Sequence, residues 1–150
     1  MFFTTACAYA LRALIHVARA GGERVRAREI ADAEGIPRHF LAKILHQLST
    51  AEIVRSTRGP AGGFVLARPA EEIVIREVLE VMEGHEPRHD RCVLQARPCH
   101  EGPLCSLHSA WDDCRGRFWN QTSERTIAEL AHEPRFVQPG GQPSGRPPRT

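Results

Sequence analysis

Residues 26–69 constrain the fold more than any other stretch. At 26–35, Ile30, Ala31 and Ala33 are expected inward, and Gly35 stops the helix because glycine readily adopts the left-handed conformation. Ile36 follows, and Pro37 suits the first turn of a new helix. In residues 37–50, PRHFLAKILHQLST, the apolar set Phe40, Leu41, Ile44, Leu45 and Leu48 recurs at helical spacing and predicts one inward face. Arg38, His39, Ala42, Lys43, His46 and Gln47 fall on the opposite face, which has no carboxylate. A short helix, a glycine-containing turn and an amphipathic helix have helix-turn-helix spacing. Cations and hydrogen-bonding side chains on the outer face suit the major groove of DNA, although an ordinary solvated face could look the same.

The next segment separates the two readings. Glu52–Thr57 and Gly63–Ala67 are short β-prone runs flanking Arg58-Gly59-Pro60-Ala61-Gly62, which reads as a hairpin turn. A hairpin directly after a recognition-type helix is a wing. Arg58 at its tip, beside Gly59, is placed to enter a narrow minor groove, where negative potential concentrates. No lysine–serine pair follows the glycines and no helix opens there, which excludes a phosphate-cradling P-loop. The charge distribution agrees. Residues 1–69 hold ten Lys/Arg against five Asp/Glu, whereas residues 70–150 hold ten against thirteen, so a basic half precedes an acidic half.

Upstream, residues 4–20 repeat Ala6/Cys7, Ala10/Leu11, Leu14/Ile15 and Val17/Ala18 at helical spacing, with Thr4 or Thr5 as cap and Gly21-Gly22 as stop. Cys7 lies on the apolar side, as a small buried hydrophobe or as a ligand. Downstream, Pro69 ends the wing, and residues 72–83 form a helix with Ile73, Val74, Val78, Leu79 and Met82 apolar, closed by Gly84. Leu107, Trp111, Cys114, Phe118, Ile127 and Leu130 continue one stripe, predicting a single helix over 107–130 about 36 Å long at ~1.5 Å per residue. So long a stripe late in a small chain calls for a partner surface, most economically a second copy, with Cys114 packed in it. From Glu133 onward Pro, Gly, Arg, Ser and Gln dominate, the composition of a disordered tail.

Between these helices, Cys92, Cys99 and Cys105 fall in one loop broken by Pro98, Gly102 and Pro103, and His108 follows Cys105 after two residues. Crowded thiols can converge on one metal centre, form a disulfide or act as redox-active thiols. No apolar run approaches the ~20 residues of a membrane span, and no secretory signal opens the chain, so a cytoplasmic location without a membrane partner is expected. In a reducing compartment, metal ligation or thiol chemistry is favoured over structural disulfides. Cysteine and histidine could form a nucleophilic pair. No oxyanion-forming loop or substrate cleft accompanies them, so the chain is read as no enzyme.

These features resemble the winged-helix iron–sulfur cluster regulators of bacteria, the group with the IscR-type regulator and the nitric-oxide-sensing repressor. The resemblance spans roughly residues 4–130 and rests on AREIA at 27–31, FLAKIL at 40–45, RGPAGGFVLARP at 58–69 and CSLHSAW at 105–111. It implies a mainly α fold with a small β-hairpin wing: a winged helix-turn-helix at 1–84, a cysteine-rich loop at 85–106, a long dimerisation helix at 107–132 and a tail at 133–150. It also implies a homodimer on partly palindromic promoter DNA, with His39 and Lys43 on the outer recognition face and Arg58 on the wing tip.

Cys92, Cys99, Cys105 and His108 match the three-cysteine, one-histidine set around a 2Fe–2S cluster in IscR-type members. Three departures stand out. Six residues separate Cys92 from Cys99 where five are usual, and position 42 is Ala where an acidic residue filters sequence. No Asp or Glu precedes Glu23 to serve as the acidic ligand of the nitric-oxide-sensing members, and Cys7 could replace it in a 4Fe–4S set. Structural zinc on three thiolates and an imidazole is one alternative, though C-x2-C knuckles are absent. A metal-free disulfide switch is the other.

Overall fold

The computed structural model describes residues 4–84 and 105–133. Cys92 and Cys99 lie outside the described residues, as does the segment after 133 expected to form a tail. Helix α1 runs Thr5–Arg19, and the Thr4 hydroxyl caps it by accepting from the Cys7 amide at 3.3 Å. Ala10 and Ala13 are fully buried, and these small side chains allow close neighbours. Helix α1 accordingly packs against α2 (Ala27–Glu34), α3 (Arg38–Thr50), α4 (Ile75–Glu83) and α6 (Ile127–His132).

Gly35 ends α2 at φ 61°, and the Ile36 amide returns to the Ala31 carbonyl at 2.9 Å, so Ile36 is pulled into the core. Leu41 and Leu45 of α3 pack with Ala13, Val17, Ile30 and Ile36, while Ile44 and Leu48 pack with Leu14, Ile53, Ile73 and Val78. Each such side chain contributes on the order of 2 kcal/mol of burial. Helix α3 is therefore gripped from two sides, and its rotation about its own axis is set. Two expected core positions are not core. Ala33 is exposed, and Phe40 is 47% exposed because it lies at the border of the buried arc centred on Leu41, Ile44 and Leu48.

Strands β1 (Val54–Thr57) and β2 (Gly63–Leu66) pair antiparallel in the register Val54↔Leu66 to Thr57↔Gly63, forming the expected hairpin. A third piece of chain joins them: Val25 and Phe64 exchange two backbone hydrogen bonds, at 3.0 and 2.8 Å. The turn needs a glycine at 62, where a Cβ would overlap the Thr57 carbonyl oxygen.

Helix α4 starts later than expected, after a 3-10 turn at Ala70–Glu72. The Ile73–Ile75 backbone is engaged elsewhere: Ile75 N–H donates to the Arg125 carbonyl at 2.8 Å, and Ile127 N–H to the Ile73 carbonyl at 2.9 Å.

That pairing also breaks the expected single helix over 107–130. Helix α5 (His108–Thr122) stops, and α6 begins after Thr126, whose hydroxyl accepts from the Glu129 amide at 3.3 Å. The Thr122 and Ser123 hydroxyls donate back to the Trp119 and Asn120 carbonyls at 2.8 and 2.6 Å, satisfying the last turn of α5 from within. Ile127 is then fully buried in the winged-helix core and leaves the stripe it was expected to extend. Cys114 is exposed in the chain, and Leu107 is 48% exposed, so this chain does not itself supply the packing expected for them. Phe118, Trp119 and Leu130 pack at the cluster of Cys7, Ile75 and Leu79. No described helix is long and apolar enough to cross a membrane.

Candidate nucleic-acid interface and cysteine site

With the inner arc of α3 buried, His39, Lys43, His46 and Gln47 are exposed on the other side, and Arg38 is exposed in the first turn, on the flank towards α2. Arg38 reaches back to Asp32 of α2 at 3.1 Å. Both side chains are well exposed, so this pair is worth less than about 1 kcal/mol and leaves Arg38 available to a phosphate. The His39 and Phe40 rings lie 4.6 Å apart, tilted by 44°.

In the wing, Arg55, Arg58 and Gly59 are exposed, and Gly59 has φ 104°, a conformation that favours glycine. Arg26 donates to the Pro60 carbonyl at 2.8 Å, and Arg24 reaches the Ala61 carbonyl at 3.5 Å. Two arginines just before α2 thus hold the turn that carries Arg58. Sequence reasoning missed both. The signal was present in Arg24-Val25-Arg26, where alternation around one buried residue is a strand pattern too short to stand alone.

Behind the helix-turn-helix, Glu34 accepts from Arg12 Nε at 3.3 Å and lies 3.1 Å from His16 Nδ1. Burial works against the Glu34 charge, but the His16 hydrogen bond and the Arg12 charge outweigh it and hold the carboxyl below its ordinary range. This ties the α1 face to the end of α2.

Of the expected metal-site residues, Cys105, His108 and Cys7 fall among the described residues. Cys105 is an exposed free thiol, and the His108 amide donates to its carbonyl at 3.0 Å, so the two lie one turn apart where α5 begins. The buried Nδ1 of His108 has no hydrogen-bond partner among the described residues. A buried ring nitrogen without a partner costs free energy, and a metal bond is one way to satisfy it. A thiol and an imidazole are suitable donors for an iron–sulfur centre, so the residues present fit such a group. Among the described residues no three His, Cys, Asp or Glu side chains form a metal-holding set.

Cys7 sits differently. It is fully buried against Ile75 and Leu79, and burial, with the Glu83 charge adding to it, pushes its thiol up to about 12. A ligand must be a thiolate. In the metal-free chain the Cys7 surroundings favour the neutral thiol.

The profile of the Rrf2 family, described as iron-dependent transcriptional regulators, matches residues 3–133. A helix-turn-helix-type transcriptional regulator of Aquifex aeolicus (strain VF5) is 35% identical over 132 residues, covering 87% of this chain and 91% of the relative. Among solved structures, CymR, the global cysteine regulator of B. subtilis, superposes with a TM-score of 0.69 at 24% identity, over 87% of this chain and 96% of that one. T. potens IscR also gives a TM-score of 0.69, at 22% identity, over 93% and 94% of the two chains. At these identities the superpositions establish a shared fold.

Proposed function

Since the chain belongs to the Rrf2 family of transcriptional regulators, we propose that it works as a homodimer on partly palindromic promoter DNA and reports the state of an iron–sulfur cluster. In this reading Arg38, His39, Lys43, His46 and Gln47 face the major groove, and Arg58 with Gly59 enters the minor groove. Cys92, Cys99, Cys105 and His108 hold the cluster, of the 2Fe–2S type. One observation supports the cluster most directly: a buried His108 Nδ1 without a partner among the described residues, one turn from the exposed thiol of Cys105. The DNA reading is supported by the outer face of α3, which is exposed and free of carboxylates.

When bound, such a cluster supplies a group that can be lost, oxidised or attacked by nitric oxide, which makes it a signal. The chain's own residues link that region to α3 by continuous packing. The Arg76 guanidinium lies 5.0 Å from the centre of the Trp119 ring, joining α5 to α4. Val78 of α4 shares a core cluster with Ile44 and Leu48 of α3. In the dimer, the start of α5 offers the exposed Leu107 to a second copy, and two recognition helices must meet half-sites about 34–36 Å apart or a multiple of that.

Protein purified without oxygen should be coloured and contain iron and sulfide, and the visible absorption should vanish in Cys99→Ala. The spectra of His108→Ala and Cys7→Ala then identify the fourth ligand; a 4Fe–4S signature in the parent that is lost in Cys7→Ala and kept in His108→Ala would overturn the His108 assignment. A colourless, zinc-loaded preparation would overturn the cluster. Lys43→Ala and Arg58→Ala should each weaken binding to promoter DNA and make its salt slope shallower by about 0.9. A second reading, a metal-free thiol switch that joins two of the loop cysteines in a disulfide, is favoured by the free and exposed thiol of Cys105. It requires DNA binding to respond to thiol oxidation in metal-free protein.

A further inference from the structure

Phe40 is one of two large hydrophobic side chains exposed among the described residues, at 47%, and it stands in the first turn of α3. Its neighbours along the helix are Lys43 and Ile44 one turn on and Gln47 two turns on, so it borders the exposed face on one side and the core on the other. The position is not an accident of a loosely packed core, because Leu41, Ile44, Leu45 and Leu48 are all buried and fix the helix in rotation. His39 stands beside it with the rings 4.6 Å apart, which limits the directions Phe40 can take. An exposed phenyl ring forfeits a favourable burial unless a partner covers it.

The groove that α3 is proposed to enter holds one strongly apolar group, the 5-methyl of thymine, and the first residues of a recognition helix are those that reach base edges. Lys43 and Gln47 around the ring supply charge and hydrogen bonding to phosphates and base edges, the chemistry that accompanies an apolar contact in a major groove. A protein partner for this ring would have to cover Lys43 and Gln47 as well. We infer that Phe40 is a specificity-determining residue that selects thymine by covering its 5-methyl group. This rests on the DNA-reading role of α3 and adds to it a base preference.

The test uses the full chain and a duplex that it selects from a random library. Each thymine is replaced in turn by deoxyuridine, which removes only the methyl group. Wild-type protein should lose about three- to fourfold in affinity at one thymine of each half-site, the effect of burying one methyl. Phe40→Ala should bind more weakly and be indifferent to that substitution, with unchanged thermal stability. The wild-type scan needs no variant and would by itself overturn the inference if no thymine responds. An undiminished penalty in Phe40→Ala would do the same while leaving the DNA reading intact. Failure to select any duplex would overturn both.

Discussion

Arg26, the residue that precedes α2, donates to the carbonyl of Pro60 in the wing turn at 2.8 Å, across 34 positions of sequence. With the Val25–Phe64 bridge beside it, this makes the wing an extension of the helix-turn-helix and sets where Arg58 stands. If Arg58 enters a minor groove, Arg26 acts through it. Arg26→Ala should weaken DNA binding about three- to tenfold, and the Arg26→Ala/Arg58→Ala double variant should bind no more weakly than Arg58→Ala alone. Binding isotherms of the four proteins check this; additive losses would mean that Arg26 contacts DNA independently.

The Glu34 ion pairs bear on stability rather than recognition. Because the folded carboxyl is held below its ordinary value of 4.5, the unfolded chain takes up a proton first as pH falls. Its contribution is therefore present above about pH 4.5 and is lost as pH drops through the lower folded value. Glu34→Gln should cost about 1 kcal/mol at pH 7, and the gap to wild type should close in acid below that range. Urea unfolding of both proteins across pH 3–7, about the span needed, measures it. A gap independent of pH would show that the amide lost packing rather than charge.

Cys7 offers the opposite sign. Its thiol is raised from 9.0 to about 12 in the folded chain, so the unfolded chain releases its proton first as pH rises. The neutral thiol stabilises the fold fully below pH 9, and that contribution is lost between pH 9 and about 12. In cluster-free protein at neutral pH a thiol-alkylating reagent should modify Cys105 and Cys114, both exposed, well before Cys7. Mass spectrometry of the time course should place Cys7 modification with global unfolding. Rapid labelling of Cys7 in the folded chain would contradict the buried position.

Local physics made much of this chain legible in advance. The αL demand at Gly35, the helical spacing of Leu41, Ile44, Leu45 and Leu48, and the turn residues between two β-prone runs each act within a few residues, and all three appear where expected. The cations of the α3 outer face were readable for the same reason: periodicity assigns faces. What periodicity cannot assign is the edge of a face. Phe40 and Ala33 sit at such borders, and only the positions of neighbouring elements left them outside the core.

Two long-range pairings were equally invisible. The 73–75 backbone takes the 125–127 backbone as partner, splitting one apolar stripe into α5 and α6 and drawing Ile127 inward. Arg24 and Arg26 reach carbonyls more than 30 residues away. Backbone groups and long cationic side chains carry no sequence mark of which distant partner they will satisfy. The sequence alone determined the elements and the chemistry on their faces. The tertiary structure decided where faces end, which helix breaks, and what holds the wing.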